Sequence, residues 1–142
     1  MFHSLNMPGT FSYARQEKLK SRKQIEALFA SGRQLYTYPF KILYQTTPQN
    51  RHPALLQAGV TVSSRHFKKA VQRNRIKRLI REAYRNNKVE LQQLIVGKPI
   101  GLYLFIIYVG KEMPDGNKLS VGLQKLLIQL YSILHEMDIK NT

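Results

Sequence analysis

Ser64-Arg65-His66-Phe67-Lys68-Lys69-Ala70-Val71-Gln72-Arg73-Asn74-Arg75-Ile76-Lys77-Arg78-Leu79-Ile80-Arg81-Glu82-Ala83-Tyr84-Arg85 separates into two opposed faces when wound as a helix. At about 100° per residue, with Val71 at zero, Ile76, Leu79, Ile80, Ala83 and Tyr84 fall within about 80° to 220°. Lys77, Arg78, Arg81, Arg85 and the following Lys88 fall between about 240° and 340°, with Arg75 just beyond. Asn74 lies near 300°, inside this basic arc, and Arg73 near 200°, on its border. The pattern predicts a helix over Lys68 to Lys88 with a core stripe on one side and cations on the other.

Between Arg65 and Lys88 lie ten basic residues and one acid, Glu82. An ordinary solvated face mixes signs to gain pairs at i,i+4, and this one has almost nothing to pair with. A single-sign stripe on a rigid helix is an electrostatic footprint for phosphates. Arginine's planar fork suits bidentate phosphate contact, and an amide among the cations can bond sugar, base or a hydrated ion.

Upstream of this helix, Leu56 to Ser63 alternates as a strand, with Ala58, Val60 and Val62 on one side. Thr46 to Pro53, with two prolines and no periodicity, reads as a loop. Tyr38 to Gln45 is a second strand: Phe40, Ile42 and Tyr44 point one way, Lys41 and Leu43 the other. Pro39 near its start does little harm there. These two strands are expected to pair as an antiparallel hairpin. Before them, Ile25, Leu28 and Phe29 share a helical face between an N-cap at Ser21 and a stop at Gly32.

Downstream, Val89 to Pro99 is a short helical tail broken at Gly97 and Pro99. Leu102 to Val109 is apolar almost throughout, as in a strand covered on both faces. Pro114-Asp115-Gly116 is turn chemistry, and Leu119 to Met137 carries a stripe of Leu123, Leu126, Leu127, Leu130 and Leu134. The order is αββαβα, a single-domain α+β sandwich. Residues 1–17 are expected to be an N-terminal arm, 18–137 the domain and 138–142 a short tail.

With 23 Lys and Arg against 8 Asp and Glu, the formal charge of the 142-residue chain is +15. Such an excess repels itself in a compact state, which points to a polyanionic partner, although a merely solubilising surface is the bland alternative. There is no cysteine; this removes thiol catalysis, disulfides and cysteine-bound zinc and suits a cytoplasmic setting. No secretory signal is evident at Met1–Thr10. The longest apolar run, Ile100 to Val109, is about half of a membrane crossing, so no membrane partner is expected. His3, His52, His66 and His135 are dispersed, and the carboxylates form no ligand or acid/base spacing. No catalytic residue and no metal site is expected in the chain.

Arg73 to Ala83, Arg-Asn-Arg-Ile-Lys-Arg-Leu-Ile-Arg-Glu-Ala, matches throughout the signature of the bacterial ribonuclease P protein, and the chain resembles that family over about Lys18 to His135. Lys18-Leu19-Lys20-Ser21 resembles the basic segment that opens the family's first helix. The resemblance implies a left-handed crossover from the signature helix to a parallel strand, opposite to the general rule. It implies that the partners are the ribonuclease P RNA subunit and precursor tRNA, with no obligate protein partner evident. The RNA would perform the hydrolysis with Mg2+ expected for the ribonucleoprotein and none assigned to the protein alone. The protein would grip the 5′ leader and so favour precursor over product.

On this resemblance Arg65, Lys68, Lys69, Arg73, Asn74, Arg75, Lys77, Arg78, Arg81 and Arg85 are the RNA-binding candidates, with Asn74 and Lys77 nearest the cleavage region. The leader groove lies between the first helix and the sheet. Its candidates are Phe29 together with Phe40, Ile42 or Tyr44, whose rings and side chains equally suit an ordinary core. Two positions depart from the family pattern: Ile25, where many members carry a second aromatic, and Lys68, where a small residue is usual. A structural RNA-binding protein would share the charge and the fold class without a leader preference. A stand-alone nuclease would need a catalytic cluster, and a membrane-lying helix would have to surrender the apolar face that the core requires.

Overall fold

In the computed structural model, which describes residues 15–48, 55–98 and 100–141, β4 (Ile100–Tyr108) runs through the middle of a four-stranded sheet. It pairs antiparallel with β2 (Phe40–Pro48) and parallel with β3 (Leu56–Val62). A further strand, β1 (Arg33–Thr37), pairs antiparallel with β2, giving the order β1-β2-β4-β3. Ile106 is thus flanked by Ile42 on one side and Val60 on the other. The nearly unbroken apolarity of β4 follows from this central place, where both faces are covered.

Two sequence expectations are corrected here. β2 and β3 do not form a hairpin, because β4 lies between them. A central position rewards the strand that is apolar on both faces, and the helices between β3 and β4 provide the long connection that a parallel pair needs. Strand β1 carries no strand signal in its sequence. Arg-Gln-Leu-Tyr-Thr is short and polar, and only Leu35 turns toward the main core.

Among the described residues four α-helices accompany the sheet: α1 (Arg22–Ser31), α2 (Ala70–Asn87), α3 (Val89–Val96) and α4 (Gly116–Asn141). Ser21 caps α1, its hydroxyl accepting from the Gln24 N–H at 3.3 Å, and the Gly32 N–H closes the helix on Leu28 O at 2.9 Å. Asp115 caps α4 by accepting from the Asn117 N–H at 3.0 Å. That cap starts α4 at Gly116, ahead of the expected Leu119, and the helix continues to Asn141, so the segment expected as a tail from residue 138 is helical to that point. Met1 to Ala14 lies outside the described residues. Arg15–Glu17, placed with the arm on sequence grounds, instead forms a 3-10 turn docked on the sheet, and Lys18 bridges in parallel to Ala58.

The sheet has two differently furnished sides. Strand alternation sends Phe40, Ile42 and Tyr44 of β2 and Leu102, Leu104, Ile106 and Tyr108 of β4 into the main core, against α2 and α4. Leu43, Phe105 and Ile107 point the other way and join Leu19 and Leu28 in a smaller cluster under α1. Gly59 lies beneath the Phe105 ring, where a Cβ would stand 2.6 Å from two ring carbons. At the end of β4 the Tyr108 hydroxyl donates to Glu112 O at 2.7 Å. Burial, with Tyr38 and Glu112 nearby, holds this phenol above its ordinary range.

Candidate nucleic-acid interface

Helix α2 sits on the sheet as its sequence predicts: Ile76, Ile80, Ala83 and Tyr84 are buried, and Leu79 is half-buried at the start of α4. Lys69, the residue before the helix, supplies no side-chain cap. The entry is held from inside, by Phe67 buried in the core and by Arg73, whose Nη1 donates to Phe67 O and Lys68 O, both at 2.8 Å. Arg73 is half-buried, and one end of its guanidinium is committed to this loop. Its partner atoms are backbone carbonyls, so its charge stays available to a nearby anion.

The outward face carries Asn74, Arg75, Arg78, Arg81 and Arg85, all exposed, with Lys77 half-buried beside them. Arg65, His66, Lys68 and Lys69 are exposed on the approach to the helix and extend the charged surface past its N-terminus. Among the described residues none of Arg75, Arg78, Arg81 and Arg85 has a salt-bridge partner. The wheel is corrected at one position. Lys88 falls in the basic arc, yet it is 0% exposed and donates from Nζ to Glu17 Oε1, to which the Gln92 amide also donates at 3.0 Å. An acid 71 positions upstream cannot be anticipated from a wheel.

The second candidate surface changes its membership. Phe40 and Ile42 are fully buried in the main core on the side of the sheet away from α1, so they cannot line a groove beside α1, whereas Tyr44, buried in the same core, lines a cavity with Arg33 and with Ser31 at the end of α1. Phe29 stays: it is 57% exposed, and its ring meets Phe105 edge-on with centroids 5.6 Å apart. The alternation that buries Phe40 turns Phe105 and Tyr103 of β4 to the α1 side. The registers Tyr36↔Lys41 and Lys41↔Ile107 put Tyr36, 62% exposed, on that same side. Ile25, the departure from the family's aromatic, packs against the small cluster beneath. The missed residues carried a signal, but continuous apolarity in β4 conceals which of its side chains belong to which face.

Among the described residues no group of three or more His, Asp or Glu comes together, and no helix is long and apolar enough to cross a membrane. The chemistry this surface can perform is binding: a line of cations for phosphates, and a sparsely covered aromatic face for unpaired bases.

Comparison with known proteins follows the same lines. Residues 13–131 match the family model described as Ribonuclease P. The ribonuclease P protein component of Porphyromonas gingivalis is 32% identical over 137 residues, covering 96% of this chain and 99% of that protein. That of Chlorobium phaeobacteroides is 36% identical over 126 residues, covering 82% and 86%. The RNase P protein of Thermotoga maritima, solved in complex with 1-(4-fluorophenyl)-2-thiourea, superposes with a TM-score of 0.56 at 27% identity, over 78% of this chain and 96% of that one. The Staphylococcus aureus RNase P protein superposes with a TM-score of 0.61 over 80% and 94%; at 19% identity the likeness is one of fold.

Proposed function

Because the chain belongs to the ribonuclease P protein family and is thus the protein subunit of that ribonucleoprotein enzyme, we propose that its two surfaces divide the work of 5′ maturation of precursor tRNA. The exposed face of α2, with Asn74, Arg75, Lys77, Arg78, Arg81 and Arg85, binds phosphates of the RNA subunit and of substrate near the cleavage region. Arg65, Lys68 and Lys69 continue that contact, and Arg73 holds the helix entry in place while adding its charge. The face beside α1, with Phe29, Tyr36, Tyr103 and Phe105, receives the single-stranded 5′ leader. Stacking on rings tolerates varied sequence, which suits leaders that differ from one precursor to the next.

In this reading the endonucleolytic hydrolysis belongs to the RNA subunit, with Mg2+ held there, and the setting is the cytoplasm. The chain's share is to lower the repulsion between two polyanions and to hold the leader where only a precursor has one. The observation that carries the reading is the face of α2 whose exposed arginines, against one acid, Glu82, form no ion pair among the described residues, fixed to a core by its opposite side.

The test is cleavage of a precursor tRNA at low Mg2+ by a bacterial ribonuclease P RNA, with and without the protein. Correct 5′ cleavage restored by the protein, which by itself cuts nothing, is the expected result. Binding without stimulation of a cognate RNA would overturn the assignment in favour of a structural RNA-binding role. Cutting by the protein alone would return the chemistry to the chain.

A further inference from the structure

We infer that Glu17 and Lys88 are a positioning pair that draws the basic stretch Arg15–Lys20 alongside α2, so that cations from two distant segments make one RNA-binding surface. The inference rests on the RNA-binding role proposed above and extends it to residues outside the signature helix.

Three sets of interactions place the stretch. At its start, Lys88 and Gln92 both donate to Glu17 Oε1, at the junction where α2 ends and α3 begins. In its middle, the Gln57 amide donates to Gln16 O at 3.4 Å, Lys18 bridges Ala58 in parallel, and the Leu19 N–H donates to Ala58 O at 2.9 Å. The stretch therefore runs along the outer edge of β3 in the same direction as the strand. Helix α2 returns over β3, and its 18 residues, about 27 Å, match the seven of β3, about 23 Å. The C-terminal end of α2 thus lies back at the beginning of β3, where Glu17 stands.

Side-chain direction follows from the bridge. Lys18 shares the side of Ala58, which faces α2, while Leu19 enters the cluster under α1. Lys20 follows directly, ahead of the Ser21 cap, and both Arg15 and Lys20 are exposed. Arg85 lies only about 4.5 Å before Lys88 along the helix axis, within a Debye length of the junction at ordinary salt, and Arg81 lies about 10.5 Å before it.

The charge arrangement gives the pair its purpose. Arg15–Lys20 holds one acid, Glu17, and the α2 arc holds one inward-turned cation, Lys88. Pairing the two in the interior leaves Arg15–Lys20 with an outward surface of one sign and leaves the exposed face of α2 with a single acid, Glu82. Burying an ion pair is a costly way to hold a turn, and an apolar pair holds at least as firmly. What the ion pair adds is register, since a buried charge is favourable only opposite a charge of the other sign. The partner this surface fits is structured RNA approached through its phosphates, over a footprint wider than one helix face.

Affinity for an in vitro transcribed bacterial ribonuclease P RNA, measured against KCl concentration with the melting temperature recorded for each protein, tests the inference. Arg15→Ala with Lys20→Ala alters no buried group. It is expected to keep the melting temperature, weaken binding about tenfold at moderate salt, and flatten the log–log salt slope by about 0.7 to 0.9 for each phosphate no longer neutralised. Glu17→Gln, assayed well below its own melting temperature, should flatten the slope to a similar degree. Combining all three substitutions should add little, because charges on a loosened stretch no longer contribute. The reversed pair Glu17→Lys with Lys88→Glu should recover the slope.

An unchanged slope for Arg15→Ala with Lys20→Ala overturns the inference, as does full additivity with Glu17→Gln. Arg81→Ala with Arg85→Ala is the control. If it flattens the slope and the Arg15 and Lys20 changes do not, only this inference fails. If neither does, the RNA-binding reading of α2 fails with it.

Discussion

Phe105 and Ile106 are neighbours in the sequence, point to opposite sides of the sheet and meet unlike surroundings. Ile106 enters a cluster of 23 buried side chains among the described residues, roofed by α2 and α4. Phe105 enters a cluster of five, roofed among the described residues by α1 and by Leu19 of the segment before it. Helix lengths account for the contrast. α2 and α4, at 18 and 26 residues, run about 27 and 39 Å, whereas α1, at ten, runs about 15 Å across a sheet about 19 Å wide. Among the described residues one short helix covers only part of that face, and Phe29 and Tyr36 at its margin are exposed. One side of the sheet is built for stability, and the other trades coverage for an open aromatic surface.

The largest expected effect tests the well-covered side. Ile106→Ala removes a side chain with no exposure from the middle of the sheet and should cost about 2–5 kcal/mol in denaturant unfolding. Phe105→Leu, one residue away, keeps most of the volume and should cost less than about 1.5 kcal/mol. Equal losses would show that the two sides contribute alike and would break the contrast.

Gly59→Ala probes the thin side from below. Its new methyl would stand 2.6 Å from two carbons of the Phe105 ring and 3.3 Å from Leu19 O, so the ring must move. A loss of about 1–3 kcal/mol is expected from this overpacking, and Phe105→Leu in the same chain should recover part of it. No recovery would place the strain in the backbone near Leu19.

Phe29→Ala should leave stability within about 1 kcal/mol, since the ring is more than half exposed. Its effect belongs to RNA. If the ring stacks on a leader base, about 1–3 kcal/mol of the preference for leader-bearing precursor over mature tRNA should disappear in a binding comparison of the two. Equal weakening toward both RNAs would remove Phe29 from the leader surface.

Periodicity was a good guide wherever a single face mattered. The α2 wheel found Ile76, Ile80, Ala83 and Tyr84, and the caps at Ser21 and Gly32 bound α1. It failed where the outcome depended on what covers a face. Alternation in β2 told correctly that Phe40, Ile42 and Tyr44 share a side, but not that the side lies under α2 and α4. In β4 both faces are apolar, so Phe105 and Tyr103 could not be told from Leu104 and Ile106. Strand order was equally hidden, because β2 and β3 are adjacent in sequence and β4 separates them only in space. The Glu17–Lys88 pair joins distant residues of ordinary local context, beyond the reach of any local pattern.

The smallest effect on the protein itself should come from Arg78→Ala with Arg81→Ala, and it sharpens the contrast between the surfaces most. Both side chains are exposed and without ion-pair partners among the described residues, so each change should alter stability by no more than about 0.5 kcal/mol. Binding to ribonuclease P RNA should nonetheless weaken about tenfold at moderate salt, with the salt slope flatter by about 0.7 to 0.9 for each phosphate left without its cation. Phosphate binding draws on counterion release, so this deficit should shrink as KCl rises and nearly vanish toward about 1 M, where the Debye length is about 3 Å. The Phe29→Ala deficit, made of stacking, should persist over the same range. A Phe29 deficit that faded with salt, or an Arg78 and Arg81 deficit that did not, would mean that the charged and aromatic surfaces do not act by separate physics.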